Sequence, residues 1–198
     1  MNEIALTRGV VGGLPENLDA YPHPGESAPR LTGTFLQAWS NAEQLRVWYQ
    51  GFLGIQPDLE QGVIRLAPRL PKAFGDVEFN SRIGAGVLHA SYERSDHGRR
   101  YTWRLQGESA QLDLDIVPFE RHSFTAAAGD TLMVEHTADS LVVHHVGIGG
   151  SERERVTLAP SPVRREQQAG LDAILFGTEF AKPGVATAHP ALRQSRTP

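Results

Sequence analysis

Between residues 61 and 157 no run of the chain suits a long helix. Apolar and polar residues alternate there in short runs, which is the period of a half-buried strand. Ile64-Arg65-Leu66, Val77-Glu78-Phe79, Tyr101-Thr102-Trp103-Arg104-Leu105 and Leu112-Asp113-Leu114-Asp115-Ile116 all follow it. Ser95-Asp96-His97-Gly98 reads as a hairpin turn between two such runs, and Gly84-Ala85-Gly86, Gly107-Glu108-Ser109 and Gly129-Asp130 punctuate the others. The pattern predicts roughly seven to nine short strands arranged as an antiparallel sandwich.

The segments on either side differ. With 20 Gly and 13 Pro in 198 residues, a helical bundle is excluded as the whole answer. Much of that Gly and Pro falls in residues 1–33, which read as loop, with a short element at most near Ile4–Leu6. Residues 34–53 carry the clearest helical period. Phe35, Ala38, Trp39, Ala42, Leu45, Trp48, Tyr49 and Phe52 recur at three and four. Thr32 or Thr34 is the expected cap, and Gly54 the expected stop. Glu166–Phe176 reads as a short strand or helix. Residues 182–198, with Pro183, Pro190 and Pro198, read as a disordered tail.

A net charge of −4 offers no basic field for nucleic acid. No apolar run has the length of a membrane helix, and Met1–Leu6 lacks the blocks of a secretory signal. The count of Cys is 0, which removes disulfides, thiolate metal ligands and thiol nucleophiles. A reducing cytoplasm is the expected compartment.

Several polar groups read as structural. His144 and His145 are neighbours in a strand-like run, so their rings point to opposite faces and do not share a metal. His136 and Glu135 stand near them in sequence, and the histidines read as surface residues. Asp113 and Asp115 share one face, read as the solvated side of a sheet. Glu152-Arg153-Glu154-Arg155 alternates in sign and reads as edge protection.

The loop before the helix carries more chemistry. It contains Gly12-Gly13-Leu14-Pro15-Glu16-Asn17-Leu18-Asp19, then Tyr21 and His23, and leads to Phe35-Leu36-Gln37-Ala38-Trp39-Ser40. A carboxylate on a shaped loop beside aromatics and amides suits a sugar site. Inverting glycoside hydrolysis needs one carboxylate to activate water and a carboxylic acid across the ring. Aromatic faces stack on sugars, and amides bond their hydroxyls.

Gly13-Leu14-Pro15-Glu16, followed some twenty residues on by Gln37-Ala38-Trp39-Ser40-Asn41-Ala42-Glu43, resembles the base-bearing loop and final inner helix of amylo-α-1,6-glucosidases. These are the glucosidase part of glycogen debranching enzymes. Leu45-Arg46-Val47-Trp48-Tyr49-Gln50, Gly54-Ile55-Gln56-Pro57-Asp58 and Leu66-Ala67-Pro68-Arg69-Leu70-Pro71 are similar to that family's passage from its (α/α)6 toroid into a C-terminal β-region. The resemblance spans residues 9–120 and is sharpest over 12–71.

It implies a mixed, mainly β chain. Residues 1–57 would be the end of a toroid domain, 58–181 a β-sandwich-like domain and 182–198 a tail. Glu16 matches the catalytic base. Trp39 would line the sugar pocket with Gln37 near it, and Tyr21 and His23 are candidate sugar contacts. The substrate would be an α-glucan, glycogen or a limit dextrin, hydrolysed with inversion and without metal or organic cofactor. The acid would come from an upstream toroid domain, because Asp19 and Glu26 lie on the same loop as Glu16. Alone, the chain would lack hydrolysis. The competing expectation is a non-catalytic β-sandwich binding or interaction module, with its helix docked on one sheet.

Overall fold

Each alternating run becomes a strand with one face in and one face out. The structure is a computed structural model, and it describes residues 14–15, 17–19, 21–27, 29–34, 36–71, 74–137, 139–166 and 169. The expected element at Ile4–Leu6, the tail 182–198 and most of Glu166–Phe176 lie outside the described residues. In chain order the elements are β1 (Asn17–Leu18), β2 (Leu31–Thr32), α1 (Ala38–Arg46), a π-helical segment (Val47–Phe52), β3 (Ile55–Asp58), β4 (Val63–Leu66), β5 (Val77–Ile83), β6 (Gly86–Ser95), β7 (Gly98–Gln106), β8 (Ala110–Leu114), β9 (His122–Ala126), β10 (Thr131–His136), β11 (Leu141–Val146) and β12 (Glu152–Leu158). Residues 162–166 form a further helical turn. The described chain is mainly β.

The chain divides into two compact units. One comprises Met1–Gln56 with Ala67–Pro71, the other Pro57–Leu66 with Lys72–Pro198. In the second unit a six-stranded sheet has the order β12-β11-β10-β7-β6-β5, and every neighbouring pair is antiparallel. The expected hairpin at residues 95–98 is present, with Ser95 opposite Gly98.

A smaller sheet has the order β3-β4-β8-β9. Its β4 and β8 run parallel, with Ile64 beside Leu112 and Leu66 beside Leu114. This departs from an all-antiparallel sandwich. The reason is the long route between the two strands: the chain leaves β4, builds β5–β7 in the other sheet, and returns beside β4. A parallel pair needs such a crossover and cannot be made by a tight turn.

Burial follows the alternation. Tyr101, Trp103 and Leu105 of β7 are buried, as are Leu88, Ala90 and Tyr92 of β6, Leu132 and Val134 of β10, and Leu141 and Val143 of β11. Ile55, Ile64, Leu66, Leu112, Leu114, Phe124 and Ala126 are buried in the smaller sheet. The two apolar faces meet where Phe124 of β9 packs edge-on against His145 of β11, ring centroids 5.8 Å apart.

At the centre, Trp103 stacks on Tyr101 with an interplanar angle of 7°, and Tyr92 stands edge-on to both. The Trp103 indole N–H donates to the Tyr92 hydroxyl at 3.0 Å. Burial pushes the Tyr92 phenol well above its ordinary range and the Tyr101 phenol up to about 12, so both stay neutral donors at any working pH.

The helix is shorter than the periodicity predicts. Thr32 is already paired with Asn17 in the β1–β2 ladder, and Gln37 has an extended backbone, so α1 starts at Ala38 with no side-chain cap from Gln37. The Leu53 N–H donates back to the Trp48 carbonyl at 2.8 Å, closing the π segment. Gly54 then ends the run with φ +72°. A Cβ there would lie 2.1 Å from the Ala67 carbonyl carbon, so only glycine lets these two backbone stretches meet.

Replacing Trp103 by Ala should cost about 3–5 kcal/mol in denaturant unfolding. Met133→Ala, on the exposed face of β10, should change stability by no more than about 0.5 kcal/mol. Equal effects at the two positions would contradict this assignment of the core.

Candidate functional site

The loop expected to carry the chemistry is tied to the start of α1 by main-chain bonds. Leu14 is fully buried. Its carbonyl accepts the Gln37 N–H at 2.9 Å, and its N–H donates to the Asn41 side-chain oxygen at 2.9 Å. Gln37 is the residue that enters the helix, where free N–H groups need acceptors. From the sequence alone Asn41 is only a member of the Gln37–Glu43 motif, with no role assigned to it. Its place one turn into the helix is the signal that could have revealed it.

Beyond Leu14 and Pro15 the chain enters the short β1–β2 ladder, which pairs Asn17 with Thr32 and Leu18 with Leu31. The Asp19 N–H donates to the Arg30 carbonyl at 3.0 Å and extends the closure. Residues 19–30 thus form an excursion whose two ends are held together. Both carboxylates on it have partners within it. His23 Nε2 lies 2.8 Å from Asp19 Oδ2, and Glu26 Oε1 accepts two bonds from the Arg30 guanidinium, at 2.8 and 2.6 Å.

Glu16, the expected base, lies outside the described residues. Tyr21 is 47% exposed and Trp39 58% exposed; His23 is exposed and Gln37 half-buried. Among the described residues, no hydrogen bond or ring contact joins Trp39, Tyr21 and His23 to one another. What the structure brings together is the Leu14 main chain with Gln37 and Asn41, at the head of the helix that carries Trp39.

No residue of α1 or of the π segment is buried. Leu36, Trp39, Leu45, Val47 and Tyr49 are all exposed large apolar side chains, and they fall within fourteen residues of chain, Leu36 to Tyr49. Lone exposed apolar residues are ordinary; five on one short stretch are not.

No family model, curated protein or solved structure matches the chain. The site therefore rests on its own geometry.

Elsewhere two buried carboxylates, Asp130 and Asp115, each gather a polar cluster. His144 and His145 do face opposite ways: His144 Nδ1 lies 2.6 Å from Glu152 Oε1, while His145 is buried against Asp130. The expectation of surface histidines fails for His145, because its strand face turns into the core. Asp130 Oδ2 accepts the Ala127 N–H at 2.9 Å, His145 Nε2 at 3.0 Å and Arg153 Nε at 3.1 Å. Burial alone would raise this carboxyl, but the Ala127 N–H, His145 and Arg153 outweigh it and hold it below its ordinary value. Arg153 comes close because position 147 is glycine, where a Cβ would lie 2.7 Å from Arg153 Nε. Among the described residues no cluster of three or more His, Cys, Asp or Glu could hold a metal ion.

Asp115 corrects a second expectation. It does not lie on a solvated sheet face but is buried, and it is paired with Arg65, Arg164 and Arg121, the last at 3.2 Å. Burial raises its carboxyl, and the bonds from Arg164, Arg65 and Arg121 bring it down to about 2. A depressed carboxyl contributes stability that is present above its unfolded value and is lost as pH falls through its folded value. Asp115 and Asp130 act in the same direction. Stability should thus hold at neutral pH and fall between about pH 4 and pH 2. Asp115 should contribute about 1–2 kcal/mol of that loss, since the Arg65 and Arg121 arms are screened by solvent. Denaturant midpoints across that window check it; a flat profile would rule out the assigned ion pairs.

Proposed function

We propose that this chain is the C-terminal part of an inverting glycoside hydrolase of the glycogen-debranching, amylo-α-1,6-glucosidase type. The observation that carries the proposal is the run of exposed large apolar side chains Leu36, Trp39, Leu45 and Val47 along the helical stretch that resembles the family's final inner helix. In a helical toroid such side chains pack against neighbouring helices. The Leu14 bonds to Gln37 and Asn41 support the same reading, because they tie Leu14, two positions before Glu16 in the sequence, to the helix bearing Trp39.

In this proposal Glu16 takes a proton from water as that water attacks the anomeric carbon. An acid from the upstream toroid protonates the leaving oxygen. Trp39 stacks on the sugar, Gln37 bonds its hydroxyls, and Tyr21 and His23 stand at the outer edge. The substrate is an α-glucan such as glycogen or a limit dextrin, no cofactor takes part, and the enzyme works in the cytoplasm without nucleic acid or membrane as partner. No helix among the described residues is long and apolar enough to cross a membrane. Without the toroid the chain does not hydrolyse glycan, since a base alone lacks both the acid and the substrate walls.

The alternative, a non-catalytic sandwich with its helix docked on a sheet, has less support. A sheet that binds sugar needs exposed aromatic platforms. The outer face of the larger sheet presents His89, Thr102, Arg104 and Met133, while Tyr92, Tyr101 and Trp103 point inward.

The test starts at the gene. Sequence upstream of Met1 should encode Trp-bearing helix pairs and a candidate acid. The full-length enzyme should release β-glucose from an α-1,6-linked stub, and Glu16→Gln should lower its kcat by about 10²–10⁴-fold with unchanged melting temperature. Full turnover in that variant would eliminate Glu16 as the base. Absence of any toroid-encoding sequence would favour the binding module.

A further inference from the structure

The Asp115 cluster holds more positive charge than its carboxylate needs. Three segments supply the arginines: Arg65 from β4, Arg121 from just before β9, and Arg164 from the helical turn 162–166. Arg164 contacts one carboxylate oxygen, and Arg65 and Arg121 contact the other. Among the described residues none of the three forms an ion pair elsewhere. One guanidinium neutralises Asp115, and Asp113, the register neighbour of Arg65 on β8, offsets part of a second, so positive charge remains in surplus. The surplus stands on a chain whose net charge is −4, so it is local and not part of a general basic surface.

The donors are in surplus as well. A guanidinium presents a planar fork of N–H groups, and Asp115 occupies only part of each fork. Arg164 Nε is shielded from solvent and has no partner. Arg65 and Arg121 remain 41% and 64% exposed, so the cluster opens to solvent on their side. Asp113, two residues before Asp115 on β8, accepts a bond from Gln111 at 2.7 Å. Like charges gathered this way repel unless an anion joins them.

We propose that Arg65, Arg121 and Arg164 form a binding site for a phosphate-class dianion, with Asp115 as the buried anchor that holds the three guanidiniums together. A phosphate or phosphate monoester brings about two negative charges and several acceptor oxygens, which matches both surpluses. The buried Asp115–Arg164 pair fixes the floor of the site, and the exposed Arg65 and Arg121 close on the ligand from solvent. This site is independent of the glycosidase reading and of Glu16.

The experiment titrates the full chain with inorganic phosphate at constant ionic strength, balanced with sodium chloride, and follows thermal unfolding and calorimetric heat. A saturable rise in melting temperature is expected. Arg121→Ala should weaken phosphate binding by about tenfold or more, while Asp115 keeps two of its partners and the chain stays folded. Arg65→Ala should act in the same way. Arg104→Ala, on the outer face of β7, should bind phosphate like the unaltered chain. A temperature rise that chloride reproduces would overturn the proposal, as would equal phosphate affinity in Arg121→Ala.

Discussion

An indole buried in the middle of a sheet must bring its hydrogen-bond partner with it, and Trp103 does so with Tyr92. Tyr92 lies on β6, opposite Tyr101, while Trp103 lies opposite Ala90. The bond therefore runs diagonally between strands and suits one register only. A slip by one residue would turn Trp103, Tyr101 and Leu105 to solvent and bring Arg104 and Thr102 inside. On the other side Trp103 faces Leu132 of β10, so the same residue aligns the next strand. The polar outer face is a consequence of this register. It lets His89 reach Asn80 at 2.5 Å and Gln106 at 2.8 Å, and Arg100 reach Glu135 at 2.7 Å.

Strand identity was legible in the sequence because it is a local property. Alternation at Tyr101–Leu105 and Leu112–Ile116 needs no knowledge of partners, and the turns at Ser95–Gly98 and Gly84–Gly86 carry their own residue chemistry. What the sequence did not disclose depends on distant partners. The parallel pairing of β4 with β8 is settled by where three intervening strands are accommodated. Asp115 and His145 lie on faces that alternation alone leaves open. Asp115 sits at the end of a run, where period two no longer decides, and its cover comes from Arg164, some fifty residues on. His145 follows His144, and only the pairing with β12 and the turn at Asp130 determines which of the two goes inward.

The helix was legible as a helix and misleading about its surroundings. A period of three and four marks apolar positions that usually go inward, yet Trp39, Leu45 and Tyr49 are exposed. Periodicity reports the helix and does not report what lies against it. The helix start was misjudged for a local reason: Thr32 serves β2, and the Leu14 carbonyl satisfies the Gln37 N–H in place of a capping hydroxyl.

The two buried carboxylates show how the same problem can be solved with opposite balances. Asp130 is short of donors. Three of them share Oδ2, and Oδ1 is left without a partner. Such a group is a structural pin: it holds the turn before β10 to β11 and to Arg153 of β12, and it has little to offer a ligand that is itself an anion. Asp115 has donors to spare, and there the unpartnered buried atom is a guanidinium nitrogen. One guanidinium is enough to neutralise Asp115, so neutralising it does not account for all three arginines. Their joint presence on three separate segments, around one carboxylate, makes sense when the cluster has a second anion to hold.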